Sequence, residues 1–175
     1  DPVHAAKGVS LVKFLNTGQA CISPNRIFVQ RKILDSFLNT LQGRIEKLHA
    51  GDGMEPSTTI GPLINHAAIE KIDRQVQDAV AQGASLHSGG RRLTEDGLEK
   101  GCFYSPTLLS NVSSDMLIYR EETFGPVAAV IAPHVTSSEF VRTTTWSTPK
   151  QPTDPGSSGS SRRAVRSAEG RDDTC

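Results

Sequence analysis

Cysteine is scarce in this 175-residue chain: Cys21, Cys102 and Cys175 make up the whole set, and they stand far apart. An odd, scattered trio with no C-x-x-C pair and no neighbouring histidine indicates neither a disulfide framework nor a zinc site. It suits a reducing, cytoplasm-like compartment. Net charge is missing too. Nineteen basic and 19 acidic residues give a formal charge of +0, and no basic stripe is present to draw nucleic acid. Apolar runs never approach the roughly 20 residues of a membrane span, so a membrane partner is not expected. No secretory leader is read in these residues, and the opening on Asp1-Pro2 rather than methionine leads us to expect a fragment or a processed chain. The histidines (His4, His49, His66, His87, His134) are scattered as surface or loop residues, and no metal site is expected. At this length the chain is one domain or part of a larger one, with no internal repeat.

What is present is alternation. Val3 to Phe14 is compatible with a short helix, and Arg26 to Gln30, R-I-F-V-Q, reads as a buried strand. From about Lys32 to His49, Ile33, Phe37, Leu38, Leu41, Ile45 and Leu48 recur at helical spacing, with Gly43 weakening the middle and Gly51-Asp52-Gly53 ending the run. After a Pro- and Gly-punctuated loop, Asn65 is placed to cap a second helix over about 66–82, with Ile69, Ile72, Val76, Ala79 and Val80 as its apolar set. Short strands follow at about 84–87 and 103–109, where Pro106 implies an edge position or a bend. A short segment at 115–119 precedes Arg120 to Ile131, which joins paired acids, a Phe-Gly-Pro turn and an apolar strand. Helices alternating with strands predict an α/β domain with a largely parallel sheet.

Near Pro133 the composition changes. Residues 134–175 are rich in Ser, Thr, Pro, Gly and Arg without helical or strand period. Such a segment buries too little apolar surface to offset its ordering entropy, so a disordered tail is expected. A frameshifted or chimeric end would account for so abrupt a boundary.

The most informative stretch is Asn16 to Arg26, N-T-G-Q-A-C-I-S-P-N-R. Its cysteine stands at a turn between a helical segment and a strand, where a thiol can be presented at the lip of a cleft. Gly18 permits close backbone approach, and neighbouring amides can face developing negative charge. Residue type alone allows the opposite reading, that Cys21 is a small buried hydrophobe. Likewise Glu121 and Glu122 alone read as a solvated pair and Phe124 as core.

Two motifs in order carry a family resemblance. N-T-G-Q-A-C at residues 16–21 and E-E-T-F-G-P-V at residues 121–127 resemble the catalytic-cysteine and Phe-Gly-Pro segments of the aldehyde dehydrogenase superfamily. I-G-P-L-I (60–64), S-P-T-L-L (105–109) and the I-N-H-A-A-I-E-K-I-D-R-Q-V-Q-D-A-V stretch from Ile64 fit as well, the last most like the succinate-semialdehyde dehydrogenase branch. The resemblance covers roughly residues 1–133. It implies a partial three-layer α/β/α catalytic domain, NAD or NADP as cofactor, a small aldehyde as substrate, and a homo-oligomer for the full-length family member. By the same resemblance Cys21 is the catalytic nucleophile, forming a thiohemiacetal and then a thioester. Glu122 binds the nicotinamide ribose, and Phe124 packs beside it.

The departures are equally specific. Where the succinate-semialdehyde branch commonly carries an arginine for the substrate carboxylate, this chain has Leu15, which offers no bidentate contact. Two residues past the nucleophile stands Ser23 rather than a second cysteine, so no redox disulfide is expected there. The resemblance places the glycine-rich cofactor segment, the cofactor-contacting lysine, the general-base glutamate and the oxyanion-hole asparagine in segments absent from these residues. Two other function classes therefore stand beside the dehydrogenase: an inactive interaction or structural module, and a cofactor-independent cysteine esterase.

Overall fold

The structure, a computed structural model, describes residues 1–95 and 97–132. The expected disordered tail lies outside the described residues. Among the described residues, four α-helices and four strands are interspersed along the chain. Helix α1, Pro2–Phe14, begins where the Asp1 carboxylate accepts from the amides of Val3 and His4 at 2.9 and 3.3 Å. Pro2 occupies a first-turn position whose amide would have no helical partner anyway. Strand β1 is Ile27–Phe28, extended by a bond from the Val29 amide to the Ile131 carbonyl at 2.9 Å. A 3₁₀ turn, Arg31–Ile33, leads into α2, Leu34–Ile45. Helix α2 is shorter at both ends than its apolar pattern predicts. Ile33 is exposed in the 3₁₀ turn, and the Leu48 amide closes a turn on the Ile45 carbonyl at 2.9 Å.

Helix α3, His66–Ala81, starts at Asn65, whose side chain accepts from the Ala68 amide at 2.9 Å, as the sequence predicts. Strands β2 (Ser85–Ser88) and β3 (Thr107–Ser110), the single-turn helix α4 (Leu117–Arg120) and β4 (Val127–Ile131) complete the described fold. The sheet order is β1-β4-β3-β2, with β1 and β3 parallel to β4 and β2 antiparallel to β3. Strand β3 is therefore internal, not an edge. Pro106 is tolerated because it precedes the first ladder residue, and the Thr107 amide reaches the Pro126 carbonyl at 2.8 Å.

Strand β4 explains the layering. Every one of its residues is buried. Val127, Ala129 and Ile131 join Ile69, Ile72, Val76 and Ala79 of α3 on one face. Ala128 and Val130 join Ala6 and Phe14 of α1 and Phe37, Leu38, Leu41 and Ile45 of α2 on the other. A two-residue side-chain period forces this division, and a strand buried on both faces reads as a continuous apolar run. Each large aliphatic side chain so buried contributes about 1.5–3 kcal/mol. The result is the expected α/β/α sandwich. It brings the C-terminal end of α1 and the N-terminal end of β4 to the same place.

Candidate active site

Cys21 is exposed and carries a free thiol. The buried-hydrophobe reading is thereby set aside. The turn that presents it is built from unusual backbone. Leu15 leaves the helix at φ −56°, ψ 129°, and Asn16, Thr17 and Gly18 follow with φ of 49°, 59° and 76°. Three successive left-handed residues are rare, and for a β-branched threonine the conformation costs on the order of 1–3 kcal/mol. The surroundings hold it. The Thr17 hydroxyl donates to the Gly61 carbonyl at 3.1 Å, and the Asn16 amide group donates to the Gln19 carbonyl at 3.1 Å. Gln19 is clamped at both ends of its side chain, donating to the Pro62 carbonyl at 3.2 Å and accepting from the Ile64 amide at 2.9 Å. On the far side of the cysteine, the Ser23 hydroxyl donates to the Lys13 carbonyl at 3.2 Å.

The second motif meets the first directly. A Cβ added to Gly18 would run into the Gly125 carbonyl, so the two backbones touch where no side chain fits. The Thr123 amide donates to Asn25 Oδ1 at 3.0 Å, joining residues 98 positions apart. Just before these anchors Glu122 is exposed. Phe124 sits at φ 48° with 37% of its surface accessible. The reading of Phe124 from residue type alone does not survive. It is not core, and it is held turned out in a backbone conformation that a phenylalanine normally avoids. The expected site residues Cys21, Glu122 and Phe124 thus lie on two touching segments at one end of the sheet. Glu122 and Phe124 suit a nucleotide's sugar and ring, a carboxylate to accept from hydroxyls and an exposed aromatic face.

Sequence reading missed three residues that organise this place. Lys13 is wholly buried below the cysteine turn, and its Nζ has no hydrogen-bond partner. Desolvation lowers its pKa to about 8, against the opposing pull of the Glu122 carboxylate. Its signal was spacing: Ala6, Ser10, Lys13 and Phe14 form the buried stripe of α1, while Val3, Leu11 and Val12 are exposed. Asn25 has no local signal, because its partner Thr123 lies 98 residues away. Gln75, wholly buried on α3, donates to Glu121 Oε2 at 3.2 Å and to the Glu122 carbonyl at 3.4 Å. Its signal was a polar residue interrupting an apolar stripe.

Among the described residues no group of three or more His, Cys, Asp or Glu is placed to hold a metal ion. Among those residues, too, no helix is long and apolar enough to cross a membrane.

Known proteins resemble this chain in sequence and fold. The model of the aldehyde dehydrogenase family matches residues 1–144, running past the boundary near Pro133. The chain is 50% identical over 129 residues to the mitochondrial succinate-semialdehyde dehydrogenase of Mus musculus, which covers 73% of this chain and 24% of that protein. Among solved structures, the succinate-semialdehyde dehydrogenase of Burkholderia pseudomallei superposes with a TM-score of 0.74 at 39% identity, over 81% of this chain and 28% of that one. Betaine aldehyde dehydrogenase of Staphylococcus aureus, solved in complex with NAD+, gives 0.71 at 34% identity, over 77% and 27%. The chain spans about a quarter of the length of the curated relatives it matches. With the family model matching most of its residues, the chain belongs to the aldehyde dehydrogenase family.

Proposed function

We propose that these residues carry the nucleophile and part of the nicotinamide site of an NAD- or NADP-dependent aldehyde dehydrogenase. The observation that carries the reading is the exposed Cys21 thiol on a strained turn, in backbone contact with the segment that turns out Glu122 and Phe124. The Cys21 thiolate adds to the aldehyde carbon, and the carbonyl oxygen takes the negative charge as a thiohemiacetal forms. The Cys21 amide faces that oxygen as one oxyanion donor. The nicotinamide, when bound, supplies the hydride acceptor. Loss of hydride leaves the acyl group on Cys21 as a thioester, and water then releases the acid and regenerates the thiol. Glu122 would hold the nucleotide by accepting from its ribose hydroxyls, and Phe124 would pack against it.

The substrate is either succinate semialdehyde or an aldehyde with a more apolar chain. Leu15 at the turn favours the second. It is exposed, as are Ile22 next to Cys21 and Ile64 on the loop bonded to Gln19. An apolar rim of this kind offers a carboxylate no counter-charge. The odd, scattered cysteine set suits a reducing compartment, for which the cytoplasm is our proposal, and the full-length protein is proposed to be a homo-oligomer, as the resemblance implies. The 175-residue chain alone is expected to turn over little, because the resemblance places the base and most of the cofactor site elsewhere.

The test is a chimera in which residues 1–132 replace the matching segment of the mouse enzyme, assayed with succinate semialdehyde and hexanal plus NAD or NADP. We expect reduced nucleotide to form, hexanal to be preferred, and Cys21→Ser to lower kcat about a thousandfold or more. Turnover that survives Cys21→Ser refutes the reading. Iodoacetamide on the 175-residue chain separates the alternatives. Labelling of the exposed Cys21 faster than that of free cysteine supports an active-site thiol, and slow labelling of Cys21 supports the interaction module. Ester hydrolysis without nucleotide supports the esterase.

A further inference from the structure

Helix α3 buries one residue that packing does not explain. Gln75 stands between Ile72 and Val76 on the core-facing stripe and is fully enclosed. Both of its Nε2 contacts, Glu121 Oε2 and the Glu122 carbonyl, are acceptors, which fixes the orientation of the amide. Its Oε1 is buried without a partner. A methionine of similar length would fill the same space and strand no acceptor, so packing alone argues against glutamine. What glutamine adds is a donor aimed at the turn that carries Glu122.

That turn needs holding. Residues between α4 and β4 belong to no helix or strand, and Phe124 is fixed at φ 48°. Asn25 grips the Thr123 amide from the cysteine side. The Arg74–Glu121 ion pair, 3.7 Å long and largely exposed, adds little. Gln75 supplies the buried contact to residue 122 itself.

We propose that Gln75 is a positioning residue for nicotinamide nucleotide binding: its buried amide holds the Glu121–Glu122 turn so that Glu122 and Phe124 face the cofactor. The inference rests on the cofactor reading of Glu122 and Phe124 given above. Gln75 acts through the turn and touches no reacting atom.

The test uses the active chimera. Gln75→Met is expected to raise KM for the nucleotide about tenfold, leaving kcat and the aldehyde KM within about twofold. Gln75→Glu sets a second carboxylate against Glu121 and is expected to raise KM at least as far. Adding Glu121→Gln to it restores a donor–acceptor pair and recovers part of the loss, although both variants alter the same packed position. The double variant conserves size and charge, so it reports even if Gln75→Met fails to fold. In the 175-residue chain, Gln75→Met is expected to speed hydrogen exchange at the Thr123 amide and leave the amides of α3 unchanged. An unchanged nucleotide KM in an active chimera, or no recovery in the double variant, overturns this inference alone. A parent chimera without turnover overturns the functional reading on which it stands.

Discussion

Helices α1 and α3 flank the same sheet, and each places buried residues beside one half of the candidate site, yet they are built in opposite senses. Helix α3 turns Ile69, Ile72, Val76 and Ala79 to the core, with Gln75 as the one polar residue among them. Helix α1 buries Ala6, Ser10, Lys13 and Phe14 and leaves Val3, Leu11 and Val12 at the surface. Its buried polar groups are paired unevenly. The Ser10 hydroxyl accepts from Arg44 Nε at 2.6 Å, whereas Lys13 Nζ has no acceptor. Hydrophobic burial shapes α3 and accounts for nearly every side chain on its inner face. It does not account for α1. That helix supports a strained turn instead, through the Lys13 carbonyl that receives Ser23. A core element and a site element can thus be told apart by what they bury.

The largest effect should come from the core side of this contrast. Ile72 is fully buried against the strand face of β4 and also lies under Gly125, where its side chain would block any added Cβ. Ile72→Ala removes three methyl or methylene groups from a packed site and should lower the unfolding free energy of the chain by about 3–4 kcal/mol. Urea denaturation followed by circular dichroism measures it. A loss below about 1 kcal/mol would mean that the α3 face is loosely packed, and the distinction between the helices would weaken.

The same contrast decides what could be read from the sequence. Wherever burial follows apolar character the pattern was legible: the α3 stripe from Ile69 to Ala79, its Asn65 cap and the continuous run of β4 stand where the sequence puts them, whereas Val80, expected in the stripe, is exposed one step off the inner face. The α/β class followed from the alternation of elements. Boundaries were less legible. Helix α2 stops at Ile45 because a turn competes for its last carbonyls, and β3 starts after Pro106 because the ladder begins at Thr107. Of the candidate site, residue identities came from two motifs, but their meeting did not. It depends on Gly18 against Gly125 and on Asn25 holding Thr123 across 98 residues, contacts that no local pattern encodes. Lys13 and Gln75 were missed for the same reason. A polar residue on a helix reads as solvent-facing until the other elements are in place.

Lys13 gives the next effect in size, and its sign depends on pH. In the folded chain its pKa is lowered to about 8 from 10.5, chiefly by desolvation, with Glu122 working the other way. Between these values the unfolded chain binds more protons than the folded one, so stability rises with pH across that window, and the full penalty is present below about 8. Relieving it with Lys13→Met should stabilise the chain at pH 7 by about 2–3 kcal/mol. The gain should shrink by more than half by about pH 9.5, where most folded chains already hold Lys13 neutral. Denaturation of both proteins at the two pH values tests this. An equal gain at both would assign it to packing rather than charge.

The smallest effect belongs to the outer side of α1. Leu11 is 67% exposed, so replacing it removes little apolar area from a buried environment. Leu11→Ser should change the stability of the 175-residue chain by no more than about 0.5 kcal/mol, part of it from the lower helix propensity of serine. This would hold although Leu11 and Ile72 are both large aliphatic residues within helices of one sandwich. Measured side by side in urea, the two substitutions should differ several-fold. A cost for Leu11→Ser approaching that of Ile72→Ala would show that α1 is packed on its outer side in solution. Its apolar residues would then be core like those of α3, and the buried Lys13 would have to be explained by crowding from both sides rather than by the turn it supports.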